Sequence, residues 1–186
     1  MAEPKSSLTI RPAVVDDAAP IAAIGKVGFR AVHDNVVGPV VAAWIVERMY
    51  STEALTECIT FCAQADDAHF LVAEEDGQVV GFVHYDSQAA EPELHRIYID
   101  PSRKRSGIGS RLLHELHARL QPGTSYVLLV AEQNTAARAF YERHGFVFES
   151  RVIGKEYYAE AMGTDDEPTQ DGFEDRALLL RFTLPS

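Results

Sequence analysis

The sequence predicts a mixed α/β domain of about seven strands and about four helices, and three observations carry that reading. Phe70-Leu71-Val72-Ala73 and Val79-Val80-Gly81-Phe82-Val83 flank Glu75-Asp76-Gly77, and Asp-Gly between two apolar runs is a strong hairpin signal. A strand-like stretch from Leu94 to Ile99 is followed by a basic, glycine-containing loop and then by Ile108, Leu112, Leu113, Leu116 and Leu120 at helical spacing, so a strand, a loop and an amphipathic helix succeed one another. Val127-Leu128-Leu129-Val130 is apolar throughout, as a strand buried on both faces should be.

The remaining elements follow in chain order. Leu8-Thr9-Ile10-Arg11 reads as a first strand, after which Asp16 or Asp17 offers an N-cap to a helix carrying Ile21, Ile24 and Val27. The stretch from Val40 to Tyr50 reads as helix, and so does the one after Ser51-Thr52-Glu53, where a capping residue directly precedes the acid. A further helix runs from about Asn134 to His144 and stops at Gly145. Two strands, around Phe146 to Ile153 and Arg176 to Thr183, close the chain. Between them, residues 163–175 hold Asp165, Asp166, Glu167, Asp171, Glu174 and Asp175 with no basic residue, which predicts a solvated acidic loop.

Composition bounds the function classes. With 186 residues, 46% hydrophobic and 24% charged, the chain reads as a single domain, 1–186, with residues 1–7 expected to be flexible. The longest weakly polar stretch, Val36 to Val46, is interrupted by Gly38 and Pro39 and falls short of the ~18 apolar residues of a membrane span. Met1-Ala2-Glu3-Pro4-Lys5 lacks the apolar core of a secretory signal, so the cytoplasm is the expected compartment. Twenty-eight acidic against 17 basic residues give a net charge of −11, which repels a phosphate backbone and argues against a nucleic-acid partner. Cys58 and Cys62, four apart, fit neither a redox pair nor a four-ligand zinc site. His114 and His117 have no third ligand nearby and read as solvent-facing, so no metal is expected.

Two constellations carry chemistry. In Lys104-Arg105-Ser106-Gly107-Ile108-Gly109, backbone N–H groups at a helix start, two glycines and neighbouring cations suit an anionic phosphate. The loop lacks both the Gly-Lys-Ser/Thr ending of a Walker loop and the third glycine of a dinucleotide fold. The second is Asn134-Thr135-Ala136-Ala137-Arg138-Ala139-Phe140-Tyr141-Glu142-Arg143-His144-Gly145-Phe146. Tyr141 lies seven residues beyond Asn134, so the two share a helix face.

Taken with Ile97-Tyr98-Ile99-Asp100-Pro101, these segments resemble the GCN5-related N-acetyltransferase (GNAT) family. Its pattern joins a strand ending near Pro, a Gln/Arg-x-x-Gly-x-Gly/Ala loop and an Asn-x-x-Ala-x-x-x-Tyr-x-x-x-Gly-Phe helix. The likeness covers residues 8 to about 155 in layout and is sharpest over 93–146; Lys104 replaces the usual Gln or Arg, which loses the planar side-chain fork. The resemblance implies a mostly antiparallel sheet splayed between the strand near Ile99 and the one near Val130, with acetyl-CoA in the opening and an amine, of a small molecule or a peptide, as acceptor. It assigns cofactor contacts to Ile97, Ile99, Lys104, Arg105, Ser106, Gly107, Ile108, Gly109, Asn134, Arg138 and Tyr141. Asn134 is also a plain N-cap, and the two roles can coexist. Tyr141 would act as the acid that reprotonates the departing thiolate.

The base is open between Glu93, whose strand would lie beside the pantetheine arm, and its rivals Glu91, His95 and water. Glu93, His95, Ile97 and Ile99 share a face only if no bulge intervenes. The acceptor groove implied by the resemblance involves residues 33–50 and 157–175, with Asp34, Trp44, Glu47, Tyr50, Tyr157, Tyr158, Glu160 and Phe173. Those aromatic and acidic groups, with local similarity to bacterial spermine/spermidine acetyltransferases, point to a small polycationic amine. A protein or peptide N-terminus, an antibiotic and a non-catalytic CoA-binding sensor are the alternatives; a homodimer is possible.

Overall fold

The computed structural model describes residues 7–87, 91–154 and 176–186. Seven strands and five α-helices lie among them: β1 (Leu8–Pro12), α1 (Ala18–His33), α2 (Pro39–Met49), α3 (Thr52–Gln64), β2 (Ala68–Glu75), β3 (Gln78–Asp86), β4 (Glu93–Ile99), α4 (Ile108–His117), β5 (Ser125–Ala131), α5 (Thr135–Arg143), β6 (Val147–Ile153) and β7 (Arg176–Thr183). The total is one more than the about four expected, although each of the five matches a segment read as helix from the sequence; Gly38-Pro39 and Ser51 separate the two that lie between α1 and β2. Pro39 opens α2, and the Ser51 hydroxyl caps α3 by accepting the Ala54 N–H at 3.1 Å. The acidic loop at 163–175 and the expected flexible start, apart from Ser7, lie outside the described residues.

The sheet has the order β1-β2-β3-β4-β5-β7-β6, antiparallel except where β4 meets β5. Asp76 and Gly77, with φ of 51° and 79°, form the tight turn joining β2 to β3, with Glu75 paired to Gln78; two left-handed residues give the hairpin the right twist. The parallel pair touches at one register position, Glu93 with Val127, backed by the Val127 N–H on the Pro92 carbonyl at 2.9 Å. Beyond it the strands part. This is the predicted splay, and it leaves the β5-facing edge of β4 without a partner strand from Arg96 onward.

Two cores hold the sheet. One packs α1, α2 and α3 on one face around Ile21, Ile45, Leu55, Phe70 and Phe82; the other packs α4 on the opposite face around Leu112, Leu113, Leu116, Tyr126 and Leu128. Helix α1 approaches the sheet closely because a Cβ at Gly28 would stand 2.3 Å from Tyr98 Cδ1; only the absence of a side chain lets the ring lie there. Asp17 does not cap α1 with its side chain. Its carboxylate instead accepts from Arg11 at 2.6 and 2.9 Å and from the Val14 N–H at 2.8 Å, so it locks β1 to the helix entry. His117 is not solvent-facing as its spacing suggested. Its Nε2 meets the Tyr126 hydroxyl at 2.7 Å and its ring stacks on Phe182. Cys62 is buried and its thiol is pushed up to about 12 by that burial, an inert core group, while Cys58 is half-buried. Among the described residues, no helix is long and apolar enough to cross a membrane.

Candidate active site

The splay opens a cavity of about 580 Å³ bounded by β4, the loop after it, and the starts of α4 and α5. The sequence builds its phosphate end locally. Asp100 accepts from the Ser102 N–H and hydroxyl at 2.7 and 2.6 Å, the Ser106 hydroxyl bonds the Arg103 carbonyl, and Gly107 at φ +82° turns the chain into α4. A residue with a Cβ resists that left-handed conformation. The first amides of α4, at Ile108, Gly109 and Ser110, have no intrahelical partner and carry the positive end of the helix dipole. At Gly109 a Cβ would stand 3.2 Å from Phe140, so this glycine also lets α5 close against α4.

Most of the predicted groove residues line the cavity: Ile97, Ile99, Lys104, Arg105, Gly107, Ile108, Gly109, Asn134 and Tyr141. Ser106 and Arg138 do not. The Ser106 hydroxyl is spent on the loop, and Arg138 donates to the Glu132 carbonyl at 3.0 Å, which turns it off the groove face of α5. Arg143, one turn and a half further along, lines the cavity instead. Asn134 caps α5 by accepting the Ala137 N–H at 3.2 Å and borders the cavity as well. Of the three cations in the loop, Arg103 is tied to Glu75 at 2.7 Å.

A smaller cavity of about 100 Å³ continues the groove toward α1 and α2. The two share Tyr141, Tyr98, His33, Ile97, Asn134 and Ala137, so this ring of residues surrounds their junction. Tyr141 is 8% exposed, and burial raises its phenol well above the ordinary range. It is therefore a proton-bearing group at every physiological pH. His33 stacks on Phe29, and its Nδ1 donates to the Phe29 carbonyl at 3.0 Å. Burial pushes His33 down to about 4, with that bond and Asp34 opposing the shift, so the ring is neutral near pH 7 and its Nε2 is the acceptor nitrogen.

The condition set for Glu93 fails, because β4 is bulged. Tyr85 pairs with Leu94 while His84 pairs with Arg96, which leaves His95 as the extra residue. Leu94 joins Ile97 and Ile99 in the α4-side core, and Glu93, opposite Asp86, falls on the other face. Glu93 is 9% exposed and borders neither cavity; His95 borders the smaller one, with Nδ1 3.5 Å from Glu93 Oε1. Glu91 is committed elsewhere, at 2.5 Å from Arg181. Of the acceptor residues expected in 33–50, Tyr50 lines the smaller cavity. Asp34 pairs with Arg30 at 3.1 Å, Trp44 lies under Arg48 at 4.0 Å, and Glu47 is exposed. Tyr157, Tyr158, Glu160 and Phe173 lie outside the described residues. His33 and Tyr98 were missed by sequence reasoning, although the Gly28-x-x-x-x-His33 spacing brings both glycine and imidazole onto the groove end of α1.

Residues 66–148 match the profile of the acetyltransferase (GNAT) domain. A probable N-acetyltransferase of Mycobacterium tuberculosis is 34% identical over 86 residues, 44% of this chain and 48% of that protein; the chain thus spans about half the length of that relative. A spermidine N(1)-acetyltransferase of Thermoplasma acidophilum is 27% identical over 146 residues, 77% of this chain and 90% of that protein. In the solved structures, a PaiA N-acetyltransferase from the same organism, in complex with coenzyme A, superposes with a TM-score of 0.73 at 21% identity, over 95% of this chain and 99% of that one. Domain profile, relatives and the splayed sheet agree: residues 66–148 match the acetyltransferase (GNAT) domain, and the fold around them is that of solved acetyltransferases.

Proposed function

We propose that this chain transfers an acetyl group from acetyl-CoA to a primary amine. The observation that carries the proposal is the junction itself: a long groove that starts at unpaired helix amides meets a smaller cavity, and a buried, protonated tyrosine stands where they join. Lys104, Arg105 and the amides of 108–110 suit a pyrophosphate, and the open edge of β4 at Ile97 and Ile99 suits pantetheine amides by strand addition. The amine would reach the junction from the smaller cavity.

The chemistry then has assigned atoms. The neutral amine nitrogen attacks the thioester carbonyl carbon, and the C–S bond breaks as the amide C–N bond is kept. His95 takes the proton lost by the nitrogen, directly or through water, with Glu93 orienting the imidazole; Glu93 thus becomes a positioning residue rather than the base. Tyr141 gives its proton to the thiolate and regains one from solvent. A phenol raised by burial remains a competent donor because the same dry surroundings raise the basicity of the thiolate.

The acceptor class is narrower than the family. Similarity to the spermidine acetyltransferase and the charge of −11 support a polycationic amine, whereas no carboxylate borders the smaller cavity among the described residues. The test is thiol release from acetyl-CoA in the presence of polyamines, amino acids, aminoglycosides and peptide N-termini. Amine-dependent release is the expected result; binding of acetyl-CoA without release on any amine would favour a CoA sensor.

A further inference from the structure

We propose that Arg96 is a carboxylate anchor in the acceptor cavity, so that the preferred acceptor is a small amine bearing a carboxylate a few bonds from its nitrogen. The inference rests on the transferase reading above and narrows its substrate class.

Arg96 lies on β4 beside the bulge and is 8% exposed. Its one hydrogen bond among the described residues runs from Nη1 to the Met49 carbonyl, at 2.7 Å. The guanidinium carbon sits 5.1 Å from the Tyr50 ring centre. Nε is buried without any partner. No carboxylate among the described residues pairs with it, although an arginine buried to this degree is expected to hold one. The neighbouring polar groups do not neutralise it either. His84 is near enough to feel its charge, and burial, Arg96 and His95 together hold His84 well below its ordinary value and therefore neutral. The carbonyl at the end of α2 compensates part of the charge through the helix dipole, and the Tyr50 face compensates a further part.

Arg96 nonetheless lines the acceptor cavity, and it is the one permanently charged side chain that does so among the described residues. With Nη1 engaged, Nε–H and the second terminal nitrogen form the side-on edge that receives a carboxylate through two parallel bonds. A cavity of about 100 Å³ admits a group of a few heavy atoms. A second ammonium in the same place would meet an unscreened cation, so the local field opposes the preference suggested by the net charge of the whole chain. Tyr50, Tyr98 and His33 complete a wall without a carboxylate.

The experiment compares matched pairs: an amino acid against its amide, and a short aminocarboxylate against the diamine of equal length, with spermidine alongside. Acetyl-CoA is saturating, and thiol release is read at low salt. The carboxylate member should be preferred by about 10- to 100-fold in kcat/KM, mostly through KM, the range of a charge-assisted bidentate contact. In Arg96→Gln the carboxylate-to-amide ratio should fall toward one, and Arg96→Lys should retain part of it. A ratio near one in the wild-type chain, or a preference for spermidine, overturns the proposal while leaving the transferase reading intact. Equal loss on both members in Arg96→Gln at an unchanged ratio also overturns it, since that is the effect of releasing Met49 alone. Because the wild-type comparison needs no variant, poor folding of Arg96→Gln leaves the proposal testable. Release with no amine at all would instead refute the transferase reading itself.

Discussion

Tyr141→Phe separates chemistry from packing. The ring of Tyr141 lies against Phe140 and Phe146, with centroids 5.4 and 5.3 Å away, and phenylalanine keeps both contacts. What disappears is a hydroxyl without a hydrogen-bond partner among the described residues, so folding stability should change by under about 1 kcal/mol, and CoA affinity should stay within a few-fold. Loss of a general acid costs roughly 10²-fold, or about 2.7 kcal/mol at 1.36 kcal/mol per decade. The assay is thiol release at saturating acetyl-CoA and amine, paired with a direct titration of CoA binding. The raised phenol adds a second signature: Tyr141 remains protonated as pH rises, so wild-type kcat should show no alkaline loss from this group through about pH 10. Wild-type turnover in Tyr141→Phe, or a rate loss matched by an equal loss of CoA affinity, would refute its role as proton donor.

Further outcomes follow from the same geometry. Gly107→Val combined with Gly109→Val should weaken CoA binding by at least about 10-fold by titration, because the first forces a β-branched side chain to φ +82° and the second puts atoms at 3.2 Å or closer to Phe140; unchanged affinity would move the phosphate site elsewhere. Glu93→Gln should lower kcat less than Tyr141→Phe while leaving CoA affinity unchanged, since the Glu93 carboxylate, 3.5 Å from His95 Nδ1, orients the ring without bordering either cavity; an unaltered kcat would detach Glu93 from His95. Asp17 should contribute to acid sensitivity. Burial alone would raise its pKa, but the bonds from Arg11 and Val14 and the charge of Arg11 outweigh that and hold it below the ordinary value, so its stabilisation is present above about pH 4 and fades as pH falls through the lowered value. Asp17→Asn should cost about 1–3 kcal/mol near neutral pH and flatten that acid dependence in thermal melts.

Local chemistry made much of the fold legible. Asp76-Gly77 announced its hairpin because positive φ at two positions is affordable for few residue pairs, and the Gly107 loop announced its helix start for the same reason. The β4 bulge was invisible, because an extra residue changes which side chains face which layer without leaving a compositional mark. It displaced Glu93 from the groove face and left His95 at the cavity. His33 and Gly28 were missed for a different cause: their relation to Tyr98 is a long-range packing contact, and helical spacing alone does not reveal what an α-helix packs against. Arg138 misled because a family pattern fixes a position on α5 but not the partner that its side chain finds, here the Glu132 carbonyl.

The most direct test of the central claim follows the acetyl group itself. The purified chain is incubated with acetyl-CoA labelled with ¹³C in the acetyl group and a mixture of primary amines, and the products are read by mass spectrometry. The expected product is a labelled N-acetyl amide that needs the chain and is formed much more slowly by Tyr141→Phe. Binding of acetyl-CoA in the groove with no labelled amide from any amine would contradict it.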